Sequence, residues 1–285
     1  MSKIDKIAVT VLSFLISLFG FAALITGVLS NTVASPKFMI KVLENRHYYD
    51  TIYSEYCDSV ESLAIPAGVD ESVFSSVVTK SEFKEGINKI IISAYSNSDA
   101  YAGDSFDSDS VYNKFYNTMT EFFTTVKGVE ITDEMTDSLH NVASLCASTC
   151  EVYITLPFID VIGRYATEFN SYFELGTIIC AVFATFLIVM LCITKKWREI
   201  CPYCISIALI SSGLMLITAP LITLLSGKIR YIQIELKSLY TFAVGYIEYM
   251  LYELIAVGAA LIILAVLIII LTDYLKKKVK KDQVT

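Results

Sequence analysis

Four long apolar runs constrain the fold of this chain more than any other feature of its sequence. They cover residues 7–30, 175–194, 205–225 and 254–272. A helix of ~20 residues crosses the ~30 Å hydrocarbon layer of a bilayer, and each run is close to that length. Because 55% of the chain is hydrophobic, the excess apolar side chains have to face lipid or an unusually large core. The sequence therefore predicts four transmembrane helices.

The stretch between the first two runs, residues 31–172, has ordinary polarity and the length of one domain. Its apolar residues recur three and four positions apart, which predicts helices, and several striped helices in one segment predict a bundle. The expected fold class is all-α: a four-transmembrane-helix membrane protein with an extracytoplasmic helical bundle inserted between helices 1 and 2.

Basic residues near the spans predict the orientation, because Lys and Arg in short loops resist translocation. Three clusters fall on one side, which is therefore assigned to the cytoplasm: Lys3 and Lys6; Lys195, Lys196 and Arg198; and Lys276, Lys277, Lys278, Lys280 and Lys281. The rival cluster of Lys228, Arg230 and Lys237 is partly offset by Glu235.

The first apolar run exceeds the ~7 to 15 residues of a signal-peptide core, which favours an uncleaved anchor over a cleaved signal.

The boundaries that follow divide the chain into nine segments. They are a cytoplasmic N-terminus (1–6), transmembrane helix 1 (7–30), the extracytoplasmic helical domain (31–172), transmembrane helix 2 (173–194), a cytoplasmic loop (195–204), transmembrane helix 3 (205–225), an extracytoplasmic amphipathic segment (226–252), transmembrane helix 4 (253–273) and a basic cytoplasmic tail (274–285).

Local signals predict where the helices of the outer domain begin and end. Ser35 followed by Pro36 predicts a helix start, and the apolar stripe from Val42 to Leu63 predicts a single helix that Pro66 and Gly68 end. A loop is expected at residues 96–109 and a helix start at Thr132. Pro157 should kink the last helix of the domain, which otherwise continues toward transmembrane helix 2.

Charge is unevenly distributed and limits the partners. The chain has a net charge of −7, whereas residues 31–172 contain nine Lys and Arg against 21 Asp and Glu, giving −12. An acidic domain argues against nucleic acid as a partner, since phosphates need a basic surface. Such a surface mainly keeps a domain soluble, and it also suits a cationic ligand or partner.

The spans carry no Lys, Arg, Asp, Glu or His near their centres. Transport of ions or polar solutes usually needs such groups at membrane depth, so a charged pathway within one chain is disfavoured. A pore with a hydrophobic gate that forms only in an oligomer stays open as an alternative. Small residues such as Ser212, Gly213 and Gly258 indicate close helix packing.

Topology divides the seven cysteines into groups. Cys57, Cys146 and Cys150 lie in the outer domain, where one disulfide from Cys57 to Cys146 or Cys150 is a candidate and three reduced core cysteines are the alternative. Cys180 and Cys192 lie in transmembrane helix 2.

Cys201-Pro202-Tyr203-Cys204 is the strongest candidate for catalysis. It matches the dithiol pattern of glutaredoxin-like enzymes, in which the first thiol attacks disulfides. A four-span protein with such a pair resembles the quinone- or vitamin-K-linked membrane thiol oxidoreductases, which implies a redox role for Cys201 and Cys204. Their pairs work on the outer side, whereas this pair is predicted inside, so structural coincidence is the favoured interpretation.

Other chemical signals are weak. Asp104, Asp107 and Asp109 resemble calcium ligands but lack the twelve-residue spacing of an EF-hand, so a solvated loop is favoured and no metal or cofactor is expected. His47 and His140 each stand alone, which gives a nucleophile–histidine arrangement little support.

The sequence thus favours a non-enzymatic membrane protein whose outer domain binds a protein partner or ligand. A subunit of an oligomeric channel or transporter, and a membrane thiol oxidoreductase, are the alternatives. The plan of a span, an outer helical bundle and a return span resembles the sensory half of bacterial chemoreceptors in architecture alone. The expected location is the lipid bilayer of a bacterial plasma membrane. The expected partners are a membrane or extracellular protein and further copies of the chain.

Overall fold

The computed structural model contains helices and no strands in the residues that it describes, which are 3–96, 106–156, 159–194, 197, 200–231, 233–234 and 236–282. Within them the α-helices are α1 (Lys3–Thr32), α2 (Pro36–Asn45), α3 (Tyr48–Ala67), α4 (Glu71–Ser75), α5 (Lys80–Ser96), α6 (Ser108–Glu121), α7 (Asp133–Ile154), α8 (Ile159–Ile193), α9 (Cys201–Leu225) and α10 (Lys237–Asp282). A π-helical turn at Phe122–Val126 follows α6, and a 3₁₀ turn at Lys228–Tyr231 precedes α10. The all-α prediction is confirmed.

Among the described residues, four helices are long and apolar enough to cross a membrane, as the sequence predicts. The qualifying segments are Asp5–Thr32, Val161–Ile193, Cys201–Leu225 and Lys237–Lys278. The fourth begins well before residue 253, because the amphipathic stretch from Lys237 onward forms the first turns of the continuous helix α10. Length and composition thus make the chain compatible with an integral membrane protein.

The chain divides into two compact units. We call the first the apolar unit; it contains Met1–Val33, Phe169–Gln233 and Val244–Thr285. The second, the polar unit, contains Ala34–Glu168 and Ile234–Ala243. The helices α8 and α10 contribute residues to both.

The polar unit has a dense core of its own. The largest fully buried side chains among the described residues all belong to it: Tyr48, Tyr56, Phe74, Phe83, Phe115, Met39, Leu43, Ile87, Ile90, Ile91, Met119 and Ile154. The start of α10 is tied to this unit by Glu55 of α3, whose carboxylate accepts hydrogen bonds from the Ser238 amide at 3.2 Å and the Ser238 hydroxyl at 2.6 Å. A carboxylate at a helix N-terminus satisfies its free N–H groups and complements the helix dipole.

The helix ends of the polar unit follow the sequence signals with one exception. The Ser35 hydroxyl accepts from the Phe38 amide, the Thr132 hydroxyl accepts from the Met135 amide, and Gly68 ends α3 at a φ of 69°. The prediction of a single helix across Val42 to Leu63 is wrong, because the chain breaks between α2 and α3 at His47, which has a left-handed φ of 53°. Hydrophobic periodicity persists through this break and so conceals it.

Two predictions concern residues beyond the described part of the chain. Pro157 lies outside the described residues, between the end of α7 and the start of α8. Residues 97–105 of the predicted loop also lie outside them, and α6 begins at Ser108.

Hydrogen bonds and close backbone contacts hold the apolar unit together. The Ser212 hydroxyl of α9 donates to the Ser17 carbonyl of α1 at 2.9 Å, and the Thr26 and Thr177 hydroxyls of α1 and α8 lie 2.9 Å apart. Large apolar side chains such as Phe186 remain exposed on its outer faces. Exposed apolar faces joined by interior polar contacts are typical of helices that pack in lipid.

Candidate functional sites

A cluster of three cysteines lies where α8 ends and α9 begins. Cys192 is the next-to-last residue of α8 and is exposed, whereas Cys201, the first residue of α9, is buried. The two form a disulfide across a Cα–Cα distance of 5.8 Å, within the usual range for disulfides. This pairing joins the C-terminus of one apolar helix to the N-terminus of the next.

Cys204 is a free thiol in the same cluster. It is buried with Cys201, Val9 and Leu191, and Trp197 is one of the side chains that pack around them. Residues three apart on a helix lie on the same face, so Cys204 and Cys201 are neighbours. The pair that the sequence suggested, Cys201 with Cys204, is therefore close in space, although in the structure the disulfide partner of Cys201 is Cys192.

Tyr203, the aromatic residue of the Cys-Pro-Tyr-Cys motif, contacts α10. Its hydroxyl donates to the Asp273 carboxylate at 2.5 Å, and the Lys276 ammonium lies 4.6 Å from its ring centroid. These contacts fix the first turn of α9, which carries both motif cysteines, against the C-terminal half of α10.

The cysteines of the polar unit have a different chemistry. Cys57, Cys146 and Cys150 are free thiols in the structure, and the bridge from Cys57 to Cys146 or Cys150 stays a prediction. Burial raises the pKa of Cys146 and of Cys150 to about 12, and burial also raises the pKa of Cys57. Because the thiolate is the reactive form, Cys146 and Cys150 are poor nucleophiles at neutral pH.

The acidic candidate for a metal site is only partly within the described residues. Asp104 lies outside them. Asp107 caps α6 by accepting from the Ser110 amide at 3.0 Å, and Asp109 lies in the first turn of that helix. Among the described residues no group of three His, Cys, Asp or Glu side chains is arranged to hold a metal ion.

The two histidines lie in surface clusters that periodicity could not reveal. The His47 ring meets the Asp50 carboxylate at 3.2 Å, beside a pocket of about 270 Å³ whose other lining residues are Glu44, Tyr49, Lys80 and Lys84. Lys80 pairs with Asp50 and this contact lowers the Asp50 pKa. His140 stacks on the Tyr116 ring with centroids 4.4 Å apart, and its Nδ1 meets the Tyr112 hydroxyl.

An apolar groove opens on the polar unit. It has a volume of about 300 Å³ and is lined by Pro66, Ala67, Phe123, Met135, Ser138, Leu139 and Val142. The last four occupy one face of α7, because they are spaced three and four residues apart. Glu134 is exposed one turn before Ser138 and lies at the side of the groove, whereas Asp133 and Asp137 lie on the opposite side of α7. Sequence analysis placed these residues on helices but did not bring them together.

Comparison with known proteins gives no further guide. No protein-family model, no curated protein and no solved structure matches this chain. The geometry of these sites is therefore the basis of the proposed function.

Proposed function

We propose that this chain is an integral membrane protein whose polar unit lies outside the cytoplasm and binds a protein partner. In this proposal α1, α8, α9 and α10 cross a bacterial plasma membrane, both termini are cytoplasmic, and residues 31–172 are outside. The basic residues at the chain ends and around residues 195–198 support this orientation.

The apolar groove of the polar unit carries the proposal. It is concave and lined mainly by hydrophobic side chains, as binding sites generally are. The dense core of the unit supplies a rigid scaffold around it. The exposed Glu134 at the side of the groove favours a partner segment with apolar side chains next to Lys or Arg, since complementary charge steers association.

Site-specific cross-linking of the full-length protein in native membranes tests the proposal. A photoreactive amino acid is introduced at Val142, which lines the groove, and in a matched control at the exposed Ser144. The two positions lie about 200° apart around α7. After irradiation, the protein is purified through a C-terminal tag and its adducts are identified by mass spectrometry.

We expect a specific second protein linked through position 142 and much less of it through position 144. A weaker adduct in a Glu134→Gln variant that retains its fold would support the role of Glu134. Recovery of self-linked species alone would contradict the proposal. That result would favour the homo-oligomeric pore, for which flux into proteoliposomes is the next measurement.

A further inference from the structure

We infer that Cys192, Cys201 and Cys204 form a thiol–disulfide exchange site whose co-substrate is a thiol-bearing reductant. The inference goes beyond the proposed partner binding, because it concerns the apolar unit. It rests on the pairing of Cys192 with Cys201, on the free Cys204 beside them, and on the unequal exposure of the three residues.

The exposure of the cysteines determines which sulfur of the disulfide an incoming thiolate can attack. Cys192 is exposed, whereas Cys201 and Cys204 are 3% and 5% exposed. Exchange proceeds by attack of a thiolate on a disulfide sulfur that it can reach. The incoming thiolate therefore bonds to Cys192 Sγ, the bond between Cys192 and Cys201 breaks, and Cys201 leaves with the electron pair as a thiolate.

The position of Cys201 suits a leaving group. It is the first residue of α9, a helix of 25 residues, and the partial positive charge at a helix N-terminus stabilises a thiolate there. A second thiol, from the same dithiol or from another reductant molecule, then attacks the reductant sulfur bound to Cys192, and Cys192 leaves as a thiolate. The reductant gains a disulfide, Cys192 and Cys201 become thiols, and two electrons and two protons have been transferred.

Cys204 gives the site an internal exchange step. Its thiolate attacks Cys201 Sγ, a bond between Cys201 and Cys204 forms, and Cys192 leaves as a thiolate. No external oxidant is needed, since one disulfide replaces another. The exposed disulfide thereby becomes a buried one, while a free thiol appears at the accessible position.

The proposed topology adds a second argument. It places the three cysteines at the cytoplasmic face, where glutathione and thioredoxin keep thiols reduced and disulfides that do form are usually catalytic or redox-sensing. A purely structural bridge would be expected outside the cytoplasm, where the other group of cysteines is proposed to lie.

Disulfide mapping of the full chain in lipid nanodiscs tests the internal step. After mild oxidation with diamide, a small permeant oxidant that does not depend on the exposed Cys192, and acid quenching, non-reducing digestion should give the Cys192–Cys201 link in the wild type and a Cys201–Cys204 link in Cys192→Ser. Cys180→Ser is the matched control, because Cys180 is a free cysteine of the same helix, and it should retain the wild-type link. Absence of a Cys201–Cys204 link in a folded Cys192→Ser variant would overturn the inference.

A trapping experiment tests the point of entry. In Cys201→Ser, glutathione disulfide should modify Cys192 at least about tenfold faster than Cys204, because exchange depends on access. Reduction of the wild-type disulfide by glutathione would identify a small thiol as the source, whereas reduction only by a thioredoxin-type protein would identify a dithiol protein. A disulfide that neither reduces in the folded protein would show a structural bridge and overturn the inference.

Discussion

At the scale of single residues, Gly213 and Gly258 determine how closely α9 and α10 approach. A Cβ at Gly213 would lie 2.7 Å from the Gly258 carbonyl oxygen and 2.9 Å from Ile262 Cγ1. The backbone oxygen cannot move aside without shifting the helix. Glycine at position 213 is thus a packing requirement of the apolar unit, as expected for small residues between helices in lipid.

Substitution of Gly213 therefore has a predictable cost. We expect Gly213→Ala to destabilise the protein by about 1–3 kcal/mol, the usual effect of overpacking. Gly27→Ala is the matched control, since the nearest atom to its Cβ would be Thr177 Cγ2 at an ordinary 3.7 Å. Thermal unfolding in detergent measures both variants. Equal melting temperatures for the two would contradict the close approach of α9 and α10.

At the scale of secondary-structure elements, the start of α5 depends on a reciprocal cap. The Thr79 amide donates to the Glu82 carboxylate at 2.9 Å, and the Glu82 amide donates to the Thr79 hydroxyl at 3.3 Å. Glu82 also accepts from the Lys114 ammonium of α6 at 2.6 Å. One carboxylate thus caps α5 and joins it to α6. These contacts lower the Glu82 pKa from 4.5 to about 2, and the hydrogen bond from Lys114 has the largest effect.

This lowered pKa predicts a pH-dependent contribution to stability. Because the folded state favours the charged form, Glu82 stabilises the protein above pH 4.5, and the contribution is lost as the pH falls toward 2. We expect Glu82→Gln to melt at a lower temperature than the wild type at pH 6 and the difference to shrink below pH 4. Glu85→Gln, which alters a surface pair with Lys89 within α5, is the control and should show a much smaller difference. A Glu82→Gln deficit that does not change with pH would contradict the assignment.

The same elements show what the sequence can and cannot predict. Four apolar runs and the caps at Ser35, Gly68 and Thr132 are local signals, and each is found in the structure. The break at His47 was missed because the residue with the left-handed backbone conformation is not a glycine, so no sequence signal marks it. The apolar stripe also continues across the break. The Cys192–Cys201 pairing was missed for another reason. It depends on how close the end of α8 lies to the start of α9, which residue spacing does not give, and the Cys-Pro-Tyr-Cys motif predicts Cys204 as the partner of Cys201 instead.

At the scale of the whole molecule, the division into two units separates two kinds of chemistry. Buried thiols, an acidic exterior and an apolar groove belong to the polar unit. The apolar unit contains the disulfide, at the ends of two helices. Partner binding and thiol exchange are therefore proposed for different parts of the chain, and each proposal can fail without the other.

The proposed orientation makes a prediction for intact cells. An epitope inserted within residues 97–105 should be accessible to antibody without permeabilisation, because this stretch belongs to the segment assigned to the outside. An epitope after residue 285 should become accessible only after permeabilisation, since the basic tail resists translocation. A protein that carries both epitopes gives both readings from one sample, so differences in expression between two singly tagged proteins cannot cause the result. The reverse pattern would invert the topology and place the cysteine cluster outside the cytoplasm, which would remove the compartment argument for thiol exchange. Access to both epitopes without permeabilisation would contradict an even number of membrane crossings.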